Sequence, residues 1–313
     1  MKVVATQPRL GFLGVGWIGR QRLEAIEGSG AAEVAAIADP AIDGSLGSLE
    51  ELLAAGVDGV VIATPSALHA EQAVAALEAG AAVFCQKPLA LDAAAAARVV
   101  EAARDADRSL AVDFAYRSTE AVTAVKRLVD ARALGDVVAV DLVFHNAYGP
   151  DKPWFSDPRL SGGGCVMDLG IHLVDLVLWT LGFPPVEGIT SRLHGAPLED
   201  HAAVQLQLAG GAVAQLRCSW RLHAGRDCVF EASFYGTRGG ASVRNVGGSF
   251  YDFVAEQHVG TRTRTLARPP DDWGGRAAVE WARRLGEGGR FDAGAFEYVR
   301  VHEVLDRIYG SAA

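Results

Sequence analysis

The stretch LGFLGVGWIG, residues 10–19, decides the fold of this chain. It begins as an apolar strand and continues into three glycines with the spacing Gly-x-Gly-x-x-Gly. In a strand–turn–helix unit, the first glycine permits the tight turn, the second leaves room for a pyrophosphate, and the third lets helix and strand approach. The N-terminus of the following helix attracts the anion. The pattern predicts a dinucleotide-binding loop whose cofactor contacts are Gly14, Gly16, Trp17, Ile18 and Gly19.

Apolar strands and helices alternate from this loop to about residue 118. Near-continuous apolar strands separated by helices are typical of a parallel sheet that is covered on both faces. The chain contains 36 glycines, so the spacing is informative only because it lies between the first strand and the first helix. We expect residues 1–118 to form a Rossmann-type α/β domain, with a doubly wound parallel sheet that binds NAD(P).

Residues 119–313 follow another pattern. A helix and a strand precede a Gly/Pro-rich loop, and a long apolar helix then runs from Cys165 to Leu181. Alternating strands follow, with Gly210-Gly211 at a hairpin turn. We expect an α+β domain with a largely antiparallel open sheet, which binds substrate and mediates oligomerisation. A final helix at about 291–310 is expected to pack back on the body.

Length and composition restrict the classes of function. The 313 residues suggest two domains, and a net charge of −9 without a Lys/Arg cluster argues against nucleic-acid or membrane partners. No uninterrupted apolar run of about 18 residues predicts a membrane helix, and the N-terminal apolar run is too short for a signal peptide and ends at Pro8. The four cysteines are scattered without metal-type spacing, so we expect a cytoplasmic protein without a metal site.

Asp39 ends the second predicted strand, twenty residues after Gly19. A carboxylate there can accept hydrogen bonds from the adenosine ribose and would repel a 2′-phosphate. The following Pro40-Ala41 provides no arginine for such a phosphate. NAD is therefore predicted as the cofactor, with NADP as the alternative.

Lys87 lies at the carboxyl end of the fourth strand, in the stretch FCQKPLA, residues 84–90. Pro88 prevents the strand from continuing. Ligands of open α/β sheets bind outside the carboxyl ends of the strands. A solvated lysine would be the ordinary interpretation, but this location favours a proton-transfer role.

The long apolar helix carries Asp168, His172 and Asp175 at i, i+4 and i+7, which places them on one face. A polar stripe on a buried helix must line a cavity or be fully paired. A carboxylate and an imidazole one turn apart suit proton handling, and a structural pair is the alternative. The preceding SGGG, residues 161–164, allows close approach of a ligand or of the other domain.

Taken together, these motifs resemble the Gfo/Idh/MocA family, named after glucose–fructose oxidoreductase and inositol dehydrogenase. The resemblance covers most of the chain and rests on GVGWIG, Asp39, TPSALHAEQAVAALEAGAAVFCQKPLA and GGGCVMDLGIHLVDLVLWTLG. It implies a Rossmann domain followed by an α/β domain whose open antiparallel sheet commonly forms the oligomer interface. It also implies oxidation or reduction of a sugar, a cyclitol or a related small molecule.

The resemblance assigns roles to individual residues. Lys87 matches the catalytic lysine of the Glu-Lys-Pro motif, and Asp168 and His172 match the Asp-x-x-x-His motif. Thr64-Pro65 matches a loop near the cofactor. His69 matches a recurrent histidine after that loop, where structural packing is at least as reasonable as ligand contact.

Gln86 departs from the family pattern, which has glutamate before the lysine. We expect Gln86 to lie near the cofactor and to orient its neighbours without carrying charge. Loss of a nearby anion would make Lys87 easier to deprotonate, so a Gln86→Glu variant is expected to move the pH–rate profile to higher pH.

These features predict an NAD(P)-dependent dehydrogenase or reductase that transfers a hydride between nicotinamide and a hydroxyl or carbonyl carbon, with Lys87 as acid/base. Two alternatives remain open: an NAD-dependent glycosidase that uses transient oxidation, and a non-catalytic NAD-responsive regulator. Arg117 and Lys152 would favour an anionic substrate if both lined the site. The predicted substrate contacts are Tyr116, Arg117, Lys152, Trp154 and Asp175.

The second domain is also the predicted oligomer interface. If the hairpin register holds, four polar side chains share one face of its sheet: Gln205, Gln207, Gln215 and Arg217. We expect a homodimer or homotetramer through this sheet.

Overall fold

The computed structural model describes residues 7–312, and its internal contacts divide them into two compact units. The first contains residues 7–115 and Gly274–His302, and the second contains Tyr116–Trp273 and the residues from Glu303 onward. The first boundary therefore lies three residues before the predicted one. The expectation about a signal peptide concerns residues outside the described range.

The first unit is built around a five-stranded sheet with the strand order β2-β1-β3-β4-β5, and every neighbouring pair is parallel. The predicted doubly wound parallel sheet is confirmed. The elements are β1 (Arg9–Leu13), α1 (Trp17–Ser29), β2 (Glu33–Ala38), α2 (Leu49–Ala54), β3 (Gly59–Ile62), α3 (His69–Glu78), β4 (Ala82–Cys85), α4 (Ala93–Ala106) and β5 (Leu110–Val112).

The second unit contains an eight-stranded sheet with the order β13-β12-β11-β10-β6-β9-β8-β7. Only β6 and β9 pair in parallel, which confirms the prediction of a largely antiparallel sheet. The elements are α5 (Glu120–Asp130), β6 (Val137–Asn146), α6 (Pro158–Ser161), α7 (Ile171–Thr180), β7 (Val186–His194), β8 (His201–Leu208), β9 (Val213–Ser219), β10 (Cys228–Gly236), β11 (Gly240–Asn245), β12 (Phe253–Val259) and β13 (Arg262–Ala267).

Helix α8 (Arg276–Gly286) belongs to the core of the first unit, although the sequence grouped residues 274–302 with the second domain. Its Trp281 is fully buried, and its ring centroid lies 5.6 Å from that of Phe84 in β4. Gly59 makes room, because a Cβ there would lie 2.9 Å from the Trp281 ring. The apolar face of α8 thus covers the parallel sheet, a long-range contact that local patterns do not encode.

Helix α9 (Phe296–Gly310) contributes to both units. In the first unit, the ring of Tyr298 packs 6.0 Å from that of Phe114. In the second unit, Ser191 donates a hydrogen bond of 2.7 Å to the Ile308 carbonyl oxygen.

The hairpin of β8 and β9 pairs Gln205 with Gln215, a register that places the expected polar side chains on one face. Gly210 and Gly211 both have positive φ at the turn, a conformation that glycine adopts without strain. Along β8, the buried side chains alternate with partly or fully exposed ones. The glutamines therefore lie on the face opposite the core, as expected.

The segment Pro158–Thr180 is the one described helical stretch that is long and apolar enough to cross a membrane. Most of it is buried inside the second unit. Burial of this kind is the property of a core helix in a globular unit.

His145 in β6 predicts a pH dependence of stability. Burial, together with the nearby His201 and Arg217, lowers its pKa to about 4. Protonation is thus favoured in the unfolded chain, whose histidines titrate near 6.5, so the native state should lose stability as the pH falls from about 6.5 to about 4. Since His145 is partly exposed, we expect a loss of only about 1 kcal/mol.

Urea unfolding at pH 7 and pH 5 measures this loss. A His145→Gln variant, which cannot titrate, should show a smaller difference between the two pH values. The matched control is His194→Gln, because His194 is exposed and paired with Asp200. Equal pH dependence in all three proteins would contradict the assignment.

Candidate active site

The glycine loop connects β1 to α1 by a turn that tolerates no side chain at two positions. Gly14 has φ +86°, and a Cβ there would lie 2.8 Å from the Ala63 carbonyl oxygen. A Cβ on Gly19 would lie 2.4 Å from the carbonyl oxygen of Gly14. Gly16 precedes α1, whose first turn contains no acidic residue. This open helix N-terminus suits the pyrophosphate of a dinucleotide.

Asp39, immediately after β2, forms hydrogen bonds that hold the glycine loop at the edge of the sheet. Its Oδ2 accepts a hydrogen bond of 2.6 Å from the Val15 N–H, and its Oδ1 accepts one of 2.8 Å from the Ala41 N–H. Trp17 at the start of α1 is 59% exposed. The first unit therefore has the glycine turn and the acidic residue after the second strand that are typical of dinucleotide-binding domains.

Gly19 and Gly28 in α1 provide a matched pair of substitutions. Gly19→Ala should weaken NADH binding by about tenfold or more, because the added methyl group forces α1 away from Gly14 and distorts the anion site. Gly28→Ala meets no atom within 4 Å and should leave binding unchanged. Fluorescence titration with NADH measures both variants. Equal affinities would mean that the close approach at Gly19 has no role in binding.

Each of the five parallel strands is followed within two residues by a polar or glycine residue of this candidate site. The carboxyl ends of parallel strands meet at one edge, so these residues share an edge of the sheet. They are Gly14, Asp39, Thr64, the Gln86-Lys87 pair and Asp113.

His69 links the segments that follow β3 and β4 by two hydrogen bonds. Its Nδ1 lies 2.7 Å from the Pro88 carbonyl oxygen and its Nε2 lies 2.8 Å from that of Thr64. Burial lowers its pKa, the two backbone hydrogen bonds oppose that effect, and the positive charge of Lys87 adds to it. His69 therefore holds the backbone around Lys87, in agreement with the structural interpretation of this histidine.

Lys87 is partly buried at the end of β4, and its peptide bond to Pro88 is cis. The preceding Gln86 is buried and donates a hydrogen bond of 2.6 Å to Oδ2 of Asp113. Arg22 of α1 binds the same oxygen at 2.6 Å. Sequence interpretation missed Arg22 and Asp113. The signal for Asp113 was present, because it is an acidic residue directly after an apolar strand.

In the second unit, the glycines before the apolar helix allow a close approach to Glu199. A Cβ on Gly164 would lie 1.9 Å from the Glu199 carbonyl oxygen. Oε1 of Glu199 accepts hydrogen bonds from the N–H groups of Gly164 (2.9 Å) and Val166 (3.0 Å) and from the Tyr309 hydroxyl (2.8 Å). The close backbone approach that these glycines allow is therefore to Glu199 of the same unit, and not to a ligand or to the other domain.

The predicted single helix from Cys165 to Leu181 is interrupted by a π-helical turn over Val166–Gly170, and α7 follows. The turn contains Asp168, whose Oδ2 accepts a hydrogen bond of 3.0 Å from Nε1 of Trp220. π-helical turns are rare and often occur at functional sites. The turn changes the angular spacing of the predicted polar stripe, whose three members have different neighbours.

His172 lies against an aromatic cluster. Its ring centroid is 4.9 Å from that of Tyr116, in an edge-on arrangement, and Tyr116 stacks on Phe230 at 5.0 Å. Burial raises the pKa of Tyr116 well above its usual value, and the charge of Asp168 adds to this effect. The Tyr116 phenol is therefore neutral and acts as an aromatic neighbour of His172, not as a base.

Asp175 is paired with Arg117. Nε of Arg117 lies 2.9 Å from Oδ2 of Asp175, and the side chains are 17% and 2% exposed, respectively. Burial raises the pKa of Asp175, and Arg117 opposes this shift. Two residues that the sequence suggested for substrate binding thus neutralise each other in the structure.

An aromatic chain leads from the Gly/Pro-rich loop to Asp168. Trp154 stacks on Phe155 with ring centroids 3.9 Å apart, and Phe155 packs edge-on against Trp220 at 6.4 Å. Trp220 in turn binds Asp168. Lys152 immediately precedes the short helical turn that carries Trp154. Trp154 thus connects to the predicted catalytic carboxylate through packed rings.

The remaining reactive groups do not form a second centre in the described part of the chain. Hydrogen bonding to Cys218 and burial raise the pKa of Cys165, and burial raises that of Cys228 to about 12. These thiols are therefore poor nucleophiles. Between residues 7 and 312, no group of three or more His, Cys, Asp or Glu side chains is placed to hold a metal ion.

Comparison with known proteins identifies both parts of the chain. Residues 9–114 match the model of an oxidoreductase family with an NAD-binding Rossmann fold, and residues 122–242 match the GFO/IDH/MocA C-terminal domain. Inositol 2-dehydrogenase of Rhizobium meliloti (strain 1021) is 30% identical over an alignment of 255 positions, which covers 76% of each chain. D-glucoside 3-dehydrogenase of Escherichia coli (strain K12) is 28% identical over 61% of this chain and 60% of that protein.

A solved structure is similar over almost the whole chain. GenD2 from gentamicin A biosynthesis, crystallised in complex with NAD, superposes with a TM-score of 0.84 at 26% identity. The match covers 98% of this chain and 94% of GenD2.

Proposed function

This chain belongs to the Gfo/Idh/MocA family of NAD-binding oxidoreductases, and on that basis we propose that it interconverts a secondary hydroxyl and a carbonyl on a sugar or cyclitol. One observation carries the proposal. The glycine loop, Asp39 and Lys87 all follow strands of a single parallel sheet, at its carboxyl edge. An amine capable of proton transfer thus shares that edge with the dinucleotide-binding residues.

NAD supplies a hydride acceptor or donor when bound. The residues that would hold it are the glycine loop for the pyrophosphate, Asp39 for the adenosine ribose, and the Thr64-Pro65 and Gln86-Lys87 segments at the neighbouring strand ends. Nζ of Lys87 accepts the proton of the substrate hydroxyl during oxidation and returns it during reduction. His69 and Pro88 fix the backbone from which this amine extends.

Asp168 and His172 complete the proposed set of catalytic side chains. His172 serves as a hydrogen-bond donor or proton relay to the substrate oxygen, and Asp168 orients the substrate. Trp220 supports this role, because its hydrogen bond fixes one oxygen of the Asp168 carboxylate. The neutral Tyr116 ring against His172 limits rotation of the imidazole.

The substrate class follows from charge and from aromatic surface. Arg117 is committed to Asp175, so this unit loses one of the two cations that would have favoured an anionic substrate. Trp154 provides an aromatic face, and its ring contacts through Phe155 and Trp220 connect it with Asp168. Aromatic faces and carboxylates suit neutral polyhydroxylated rings. The names of the similar enzymes, which act on inositol and on a glucoside, support the same class.

The chain is further proposed to act in the cytoplasm as a homodimer or homotetramer. The four cysteines are free and buried, which suits a reducing compartment. The glutamine-bearing face of β8 and β9 is the proposed contact between copies.

The decisive experiment is a screen of cyclitols, aldoses, glycosides and their keto forms with NAD and NADP, followed at the nicotinamide absorbance band. We expect turnover with at least one neutral polyol and a preference for NAD. Release of an aryl group from aryl glycosides without net NADH formation would instead indicate the glycosidase. Tight NAD binding without turnover across the panel would indicate the regulator.

A further inference from the structure

Asp113 and Arg22 form a buried ion pair beside the proposed catalytic lysine. Nε of Arg22 lies 2.6 Å from Oδ2 of Asp113, and the side chains are 5% and 0% exposed. Arg22 also donates a hydrogen bond to the Gly274 carbonyl oxygen, which holds the guanidinium from a second side. The Asp113 carboxylate is therefore fixed in position.

Gln86 is the third member of this network. The Asp113 N–H donates to the Cys85 carbonyl oxygen at 2.8 Å, so residues 86 and 113 leave adjacent strands side by side. Nε2 of Gln86 donates to Oδ2 of Asp113 at 2.6 Å. Because an ionised carboxylate only accepts hydrogen bonds, the amide must turn its NH₂ toward Asp113 and its Oε1 away from it.

Stability alone is a poor explanation for this arrangement. Buried ion pairs carry a large desolvation cost, and well-packed apolar residues often stabilise a core equally well. The second oxygen of Asp113, Oδ1, is buried and accepts no hydrogen bond from the described residues. A buried oxygen without a protein partner calls for an explanation, and a role in the neighbouring site is one.

We propose that Asp113 is a positioning residue for Lys87, which acts through Gln86 and takes the place of the acidic residue that the family motif has at position 86. The inference rests on the proposed function of Lys87. Compared with the family motif, the carboxylate lies at the end of the neighbouring strand β5 instead of at the end of β4. Because its amide is held by Asp113, Gln86 fixes the backbone at the end of β4, from which the Lys87 side chain extends.

The proposal changes the expectation for Gln86→Glu. A glutamate at position 86 would place its carboxylate against that of Asp113, within the distance now spanned by the 2.6 Å hydrogen bond. Two buried carboxylates that close cannot both ionise readily. The variant therefore creates a repulsive pair instead of restoring a missing anion.

The test is a double-mutant cycle with Asp113→Asn, Gln86→Glu and the variant that carries both changes. In Asp113→Asn, an amide oxygen can still accept from Nε2 of Gln86, but the negative charge that holds the Gln86 amide and pairs with Arg22 is lost. The double variant restores one carboxylate bonded to one amide and the wild-type net charge. We expect each single change to lower kcat by about tenfold or more and the double variant to recover most of that loss. NADH affinity should change by less than about threefold throughout.

A matched control separates this effect from the general loss of an aspartate–arginine pair. Asp107 pairs with Arg290 in the same unit, and both side chains are well exposed. Asp107→Asn should leave kcat, NADH affinity and the unfolding temperature unchanged. Thermal unfolding of every variant shows which kinetic losses reflect loss of folded protein.

Two results would overturn the proposal: wild-type kcat in folded Asp113→Asn, or a folded double variant no better than the worse single variant. Unfolding of all three variants would assign the network to stability alone and also overturn it. If a single variant does not fold, a folded double variant still decides between recovery and failure.

A separate readout distinguishes this inference from the proposed function. Wild-type enzyme that turns over no substrate would refute the proposed function. The reactivity of the Lys87 amine would then decide whether Asp113 positions it. Peptide mass spectrometry after limited acetylation compares Lys87 with Lys126 as an internal reference. We expect the relative labelling of Lys87 to change at least about threefold in Asp113→Asn and to return in the double variant. Unchanged labelling would overturn the positioning role.

Discussion

A Lys87→Met variant is expected to lose about 10²–10⁴-fold in kcat, the usual contribution of a positioned acid or base. Methionine keeps the length and the apolar stem of the side chain but removes the titratable amine. The glycine loop and Asp39, which would hold the pyrophosphate and the adenosine ribose, follow β1 and β2 and keep their own hydrogen bonds in this variant. NADH affinity should therefore stay within about threefold of wild type while turnover falls.

Steady-state kinetics on the best substrate from the screen, with NADH fluorescence titration, tests this expectation. Lys126→Met is the matched control, because Lys126 lies on α5 and pairs with Asp130 one helical turn away. The control should keep full activity. Turnover above about one tenth of wild type in Lys87→Met would show that another group moves the proton. Activity lost in proportion to NADH binding would mean that Lys87 acts mainly by holding the cofactor and not by proton transfer.

Much of the first unit could be predicted from sequence because its signals are local. Apolar runs, the glycine spacing and Asp39 lie within a few residues of the structure that they specify. Lys87 was found for the same reason, since Pro88 marks where β4 must stop. In the second unit, the apolar–polar alternation in β8 and the Gly210-Gly211 turn predicted the hairpin, whereas its register is given only by the structure.

Features that depend on distant contacts were not predictable. Arg22 and Asp113 are 91 residues apart, and no local pattern pairs them. Helix α8 has an apolar face that could have packed on either unit, and long-range contacts such as the fit of Trp281 over Gly59 place it with the first. The π-helical turn at Asp168 was also hidden, because the apolar period reads as one continuous helix.

The pair of Arg117 and Asp175 supports the second large prediction. Asp175→Leu should lower the free energy of unfolding by about 3–5 kcal/mol, because it removes the buried carboxylate that binds the Arg117 guanidinium in a largely aromatic surrounding. That surrounding includes the rings of Trp179 and Phe183, each 5.6 Å from the guanidinium carbon. Urea unfolding followed by tryptophan fluorescence measures the loss.

The double variant Arg117→Met/Asp175→Leu separates a structural pair from a substrate-binding pair. Burial raises the pKa of Asp175 even though Arg117 opposes the shift, which indicates that desolvation offsets much of the attraction between the two charges. Removing both charges together should therefore cost less than about 1 kcal/mol relative to wild type and leave the KM for a neutral polyol within about threefold. If Arg117 instead binds a substrate anion, the double variant will be stable, but its KM for the best substrate will rise at least about tenfold. That result would indicate an acidic sugar as the substrate.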